Sequence, residues 1–178
     1  MPTHIAFLRA VNVGQRKYPM AELRKVLTEA GYDDVATHIQ TGNVLLRTPT
    51  RSRTRLESDL ERIFLADRGF EVATIVLSPD ELAEVAADAD VLALEHPAGS
   101  GHYVSLLKSS PPTAAGRRLE DHGYPGETAV VRGRAVHLLY AKPYHEARVS
   151  NALVEKHLGV ATNRNAKVIR ALADKWTL

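Results

Sequence analysis

Val35-Ala36-Thr37-His38-Ile39-Gln40-Thr41-Gly42-Asn43-Val44-Leu45-Leu46-Arg47 decides the fold of this 178-residue chain. Val35, Thr37 and Ile39 fall on one side of an extended segment. Gln40-Thr41-Gly42-Asn43 is a short turn into Val44-Leu45-Leu46-Arg47, so the stretch is a β-hairpin. Upstream, Thr3 to Ala10 sets Ile5 and Phe7 against Ala6 and Leu8, apolar on both faces, the pattern of a central strand covered on both sides. A loop from Val11 to Pro19, with Gly14, Arg16 and Lys17, leads into Leu23, Val26 and Leu27 at helical spacing, and Gly31 stops that helix. Downstream, Thr54-Arg55-Leu56-Glu57 fits a capping box ahead of a stripe of Leu56, Leu60, Ile63 and Phe64. Phe70 to Leu77 is a strand, and Ser78-Pro79-Asp80-Glu81 repeats the capping box with proline at the first helical position. The order is βαββαβ, closing at about Ser78.

The second half follows a related plan. After an acidic helix from Pro79 to Ala89 comes a loop with Pro97 and Gly99-Ser100-Gly101, then a strand from His102 to Lys108 and a helix from Thr113 to His122. Glu127 to Arg132 and Ala135 to Ala141 form a hairpin around Gly133-Arg134. Ser150 to Leu158 is helical with Gly159 behind it, and Asn165 to Lys175 is the last helix, preceded by Thr162-Asn163-Arg164-Asn165. The expected fold is α+β: a ferredoxin-like βαββαβ half, residues 1–78, packed against a second α+β half, residues 79–178, of similar β-α-β-β-α order and without visible sequence identity to the first.

Composition narrows the function classes. With 44% hydrophobic and 25% charged residues the chain has ordinary globular usage. Aromatic residues, 6%, are too few for a base-stacking platform. The absence of cysteine excludes disulfides, thiolate metal sites and thiol nucleophiles. The start of the chain lacks the basic region and cleavage site of a secretory signal and no run is long enough to span a bilayer, so the cytoplasm is expected. Charge is uneven. Residues 1–55 carry nine Lys/Arg against four Asp/Glu, residues 56–100 two against eleven, and residues 101–178 twelve against six. The basic ends either meet a polyanion or complement the acidic middle.

Topology gathers polar residues on one edge. The first strand and the first strand of the hairpin, joined by a helical crossover, run parallel, with the second hairpin strand between them. Arg9, Asn12, Gly14, Arg16 and Lys17 are then brought near Gln40, Gly42 and Asn43. Free helix-terminal amides, glycine and cations suit a phosphate or carboxylate. The structural alternative is that the asparagines cap backbone groups, the glycines permit positive φ and the cations are solvated. Arg164 and Asn165 have the same two readings: a helix cap, or an exposed arginine for an anion.

Arg9-Ala10-Val11-Asn12-Val13-Gly14, Met20-Ala21-Glu22-Leu23-Arg24, Gln40-Thr41-Gly42-Asn43-Val44 and Thr162-Asn163-Arg164-Asn165, in this order, resemble the bacterial domain-of-unknown-function 1697 family over essentially the whole chain. The resemblance implies a ferredoxin-like first half packed on a second α+β half and no established activity. The family pattern usually has Gly where Ala10 stands, a small hydroxyl residue or Thr where Asn163 stands, and Trp where Ala166 stands.

No recognisable catalytic motif appears: no G-x-S-x-G elbow, Walker loop or dinucleotide fingerprint. None of the eight histidines pairs at metal spacing on one helix, so neither metal nor cofactor is expected, although His102 and His137 sit on predicted strands and could meet across a sheet. Glu95-His96 and His145-Glu146 read as surface polar pairs. Arg51, Arg53 and Arg55 are either a solvated loop or a phosphate-contacting arm. The leading expectation is a binding module for a small anionic or phosphate-bearing ligand. One alternative is an acylphosphatase-like hydrolase, with Arg9 or Arg16 and Asn43 imitating that fold's arginine and asparagine although its Gly-Val-x-Phe-Arg loop is absent. The other is RNA binding on the sheet, for which the aromatic signature is missing. Nucleic acid is thus a possible partner that the residues do not favour, and a membrane is not expected.

Overall fold

The structure, a computed structural model, describes the chain except Pro97, Ala98, Ser100 and Leu178, so part of the loop expected at Pro97 and Gly99-Ser100-Gly101 lies outside the described residues. The chain divides into two compact units, Met1–Glu81 and Leu82–Leu178. The division falls inside the first turn of the acidic helix rather than before it.

In the first unit β1 (Thr3–Leu8), α1 (Met20–Glu29), β2 (Asp33–His38), β3 (Asn43–Arg47), α2 (Arg53–Arg68) and β4 (Thr74–Leu77) form an antiparallel sheet in the order β2-β3-β1-β4. β1 and β2 both pair antiparallel with β3 and so run parallel to each other. The register puts Ala6, Leu8, Val44, Leu46 and Val76 on the face that packs on Leu23, Leu27, Leu56, Leu60 and Phe64 of the helices. Ile5, Phe7, Ile75 and Leu77, on the opposite face, are buried too, which accounts for the two-sided apolar pattern of β1.

Ser78 and Glu81 make the reciprocal capping box at the start of α3 (Pro79–Glu95). Glu81 N donates to Ser78 Oγ at 3.1 Å and Ser78 N to Glu81 Oε2 at 2.8 Å. The other expected box is corrected. α2 begins before Thr54, and its cap is Ser52, whose Oγ accepts from Arg55 N at 3.3 Å. Glu57 instead lies buried with Oε1 accepting from Val76 N at 3.0 Å, and one turn on Glu61 Oε1 accepts from Thr74 N at 2.9 Å. β4 is an edge strand, and these carboxylates satisfy N–H groups on its free side that would otherwise pair with another chain.

The second unit contains β5 (Gly101–Leu107), α4 (Thr113–Glu120), β6 (Glu127–Arg132), β7 (Ala135–Tyr140), α5 (Asn151–Leu158), β8 (Ala161–Asn165) and α6 (Ala166–Trp176), with sheet order β6-β7-β5-β8. β8 is a correction, because the sequence order goes from the helix ending at Leu158 to the last helix with no strand at Thr162 to Asn165. Its polar residues conceal a strand that is held in register on β5, from Tyr103↔Asn165 to Leu107↔Ala161. Glu155 Oε1 accepts from Ala161 N at 3.1 Å, just as Glu61 serves Thr74. From β5 to β8 the second unit is therefore a complete βαββαβ, preceded by most of α3 and followed by α6.

The repetition reaches single backbone bonds. Leu8 N donates to Gly42 O at 2.8 Å and Leu107 N to Arg134 O at 2.7 Å. Arg9 N donates to Ala73 O and Lys108 N to Val160 O, both at 2.9 Å.

Candidate functional site

The end of β1 delivers the chain to an edge with two long connections: Arg9 to Pro19 ahead of α1, and the β2–β3 turn from Ile39 to Gly42. The sheet order brings them together. Asn12 Nδ2 donates to Gln40 O at 2.6 Å and to Tyr18 O at 3.0 Å, while Asn12 Oδ1 accepts from Tyr18 N at 2.9 Å. One side chain closes its own loop and fastens it to the turn. Gly42, at φ +82°, lies under the junction. A Cβ there would stand 2.7 Å from Leu8 Cβ and 2.8 Å from Val11 Cγ2, so only glycine lets the turn close on β1.

Other polar groups of the rim hold backbone. Asn43 is fully buried, its Nδ2 donating to His38 O at 3.0 Å and Thr41 Oγ1 at 2.9 Å. Arg16 donates from Nε to Ala10 O at 2.7 Å and from Nη2 to Glu71 O at 2.5 Å, with its guanidinium 4.6 Å from the Phe70 ring centre. Tyr18, fully buried, donates its hydroxyl to Asp67 Oδ2 at 2.8 Å; burial first, and that carboxylate second, push its pKa up. Lys17 and Gln40 are exposed and Arg9 is half-buried.

The loop between these anchors has an unusual backbone. Ala10, Asn12 and Gly14 have φ of +56°, +57° and +53°. Alternate left-handed residues turn N–H groups toward one side, the arrangement of backbone anion nests. Gly14 and Gln15 are exposed, and their N–H groups have no intramolecular acceptor among the described residues.

The matching edge of the second unit is plainer. Lys108 to Pro112 leads into α4, Gly133-Arg134 is a two-residue turn, and none of Lys108 to Pro112 has positive φ. Arg134 Nη1 donates to Leu107 O at 3.1 Å and Lys108 O at 3.5 Å. A cleft of about 300 Å³ opens between Pro112, Thr113, Arg117, Glu120 and Gly133, and the Glu120 carboxylate, which accepts from Val131 N at 3.2 Å, opposes an anion there.

Arg164 and Asn165 belong to this unit. The expected exposed arginine is corrected: Arg164 is buried in β8, donating to Thr162 Oγ1 and Asn163 O at 2.8 Å, and desolvation lowers its pKa to about 10. Asn165 caps α6, its Oδ1 accepting from Lys167 N at 2.9 Å. His102 and His137 do meet, His102 Nε2 and His137 Nδ1 lying 3.1 Å apart. Burial holds both pKa values down to about 4; for His102 the Arg170 guanidinium adds to it, and for His137 the neighbouring His102 followed by Arg132. Their outer nitrogens, His102 Nδ1 and His137 Nε2, are buried without partners. Among the described residues no three His, Cys, Asp or Glu gather as a metal site requires.

The family model for a protein of unknown function, DUF1697, matches residues 1–137, which include the whole rim. The chain belongs to the DUF1697 family. Thr162 to Asn165 lies outside the matched residues. Across its full length the chain is similar in structure to the conserved bacterial protein SP0830 from Streptococcus pneumoniae, with a TM-score of 0.78, 19% identity, and coverage of 100% of this chain and 99% of that one. No match is found among curated proteins. For a DUF1697 chain with Ala at position 10, the φ of +56° gives the family's usual glycine a physical reason, since a Cβ is disfavoured in that conformation. Gly14 also signalled positive φ in this loop; nothing in the sequence signalled the exposed Val13 and Ile39 beside it.

Proposed function

We propose that this protein is a binding module for a small anionic ligand, held at the rim formed by the Arg9–Pro19 loop and the β2–β3 turn. The observation that carries the reading is the run of alternate left-handed residues Ala10, Asn12 and Gly14, two of them not glycine, in a loop fixed by Asn12 and Arg16. The conformation costs an alanine such as Ala10 roughly 1–2 kcal/mol, and strained backbone of this kind concentrates where backbone groups face a ligand. The exposed N–H groups of Gly14 and Gln15 supply donors, and Lys17 supplies charge. The alternatives gain little. Asn43 and Arg16, one of the two arginine–asparagine pairs an acylphosphatase-like site could use, are occupied with backbone, and the aromatic Phe7 that a stacked base would need is fully buried.

A thermal-shift screen with carboxylates, inorganic phosphate, nucleotides and single-stranded RNA tests the reading. An anion that raises the midpoint, with the rise lost in Lys17→Ala, is expected. If every anion leaves the midpoint unchanged, the reading fails. A rise with RNA alone that collapses at high salt would transfer it to nucleic acid.

A further inference from the structure

We propose that the anion is a carboxylate joined to a branched apolar group, an inference that rests on the anion-binding reading above. The charge at the rim is small. Arg16, two residues after Gly14, spends its guanidinium on Ala10 O, Glu71 O and the Phe70 ring. Lys17 is then the exposed cation of the loop, which matches one negative charge better than a phosphate dianion. Two adjacent amides, Gly14 and Gln15, suit the two oxygens of a carboxylate, in the way backbone nests capture chain-terminal carboxylates.

Apolar groups flank this polar cluster. Val13 is 52% exposed and Ile39 45% exposed, and they are the sequence neighbours of Asn12 and Gln40, which the 2.6 Å hydrogen bond joins. Ile39 has a φ of +51°, a conformation that a β-branched side chain rarely adopts. The turn thus holds a strained isoleucine with nearly half of its surface left in water. An apolar body on the ligand would cover Val13 and Ile39 while its carboxylate meets the amides. That chemistry belongs equally to the C-terminal residue of a peptide ending in a branched side chain and to a free branched-chain acid.

The test is an NMR titration of the full-length ¹⁵N-labelled chain with acetate, inorganic phosphate, 4-methylpentanoate, N-acetylleucine and N-acetylleucinamide. The branched carboxylates are expected to shift the Gly14 and Gln15 amides and to bind about tenfold more tightly than acetate, the gain from covering one aliphatic group. N-acetylleucinamide should shift neither amide. Tighter binding of N-acetylleucine than of 4-methylpentanoate identifies a peptide terminus, and the reverse a free acid. Ile39→Ser should abolish the tenfold preference for the branched acids over acetate. If acetate binds as tightly as the branched acids, if phosphate binds more tightly than they do, or if Ile39→Ser keeps the preference, the inference is overturned and the anion site stands. If no compound moves Gly14 or Gln15, both fall.

Discussion

Where β1 ends, the chain runs from Arg9 to Pro19 before α1; where β5 ends, Lys108 to Pro112 is enough to reach α4. The hairpins differ in the same sense, Ile39 to Gly42 against Gly133-Arg134. Yet both units close the same bonds, Leu8 to Gly42 and Leu107 to Arg134, Arg9 to Ala73 and Lys108 to Val160. The second unit shows that a βαββαβ sheet can close this edge with short loops. The extra residues of the first unit are therefore not required by its topology, and both insertions lie on one edge, joined by Asn12. Long, fixed, strained loops on a rigid sheet are where binding groups are usually carried.

Turn glycines offer the sharpest way to break that comparison. Gly42→Ala places a Cβ against Leu8 and Val11 at positive φ and should destabilise by about 3 kcal/mol or more. Gly133→Ala, at φ +55° with open space around it, should cost only about 1 kcal/mol. Urea unfolding of the two variants compares them, and equal losses would contradict the tight junction in the first unit.

Acid should separate the units next. His102 and His137 have folded pKa values of about 4, below the ordinary 6.5, so the unfolded chain takes up protons first. Stability is complete above pH 6.5 and is lost as the pH falls toward 4, by at most about 3 kcal/mol for the fully buried His137 at roughly 1.4 kcal/mol per unit. Amide exchange in β5 and β7 should accelerate over that window, and His137→Gln should flatten the dependence; a pH profile identical in wild type and variant would refute the assignment. Asn12→Ala should cost about 2 kcal/mol and speed exchange at the Tyr18 amide while β5 to β8 stay protected. The smallest effect is Ala10→Gly. Relief of the left-handed strain slightly exceeds the added freedom of the unfolded chain, for a gain of about 0.5 kcal/mol in melting experiments. A clear loss would show that the Ala10 methyl makes a contact that matters.

Much of this was legible in the residues because their periods are strong. Two-sided apolar β1, the hairpin at Gly42 and the Ser78–Glu81 capping box each follow from local chemistry. β8 was hidden because Thr162-Asn163-Arg164-Asn165 has no apolar alternation, and the strand exists through its pairing with β5. Glu57 fits a capping box by spacing, but burial against Val76 N decides its role, a tertiary fact no local pattern carries. At the rim, residue types named the neighbourhood without dividing its labour. Only the structure separates Asn12, Arg16 and Asn43, which hold backbone, from Lys17 and the amides of Gly14 and Gln15, which face solvent.

The most direct measurement follows both edges of the intact chain during one acetate titration, using the amide signals of Gly14 and Gln15 for the first unit and of Thr113 and Ala114 at the start of α4 for the second. Saturable shifts at Gly14 and Gln15 with Thr113 and Ala114 unmoved are predicted. Shifts at α4 instead, equal shifts at both edges, or none at either would contradict the claim that the first unit's enlarged loops form the binding rim.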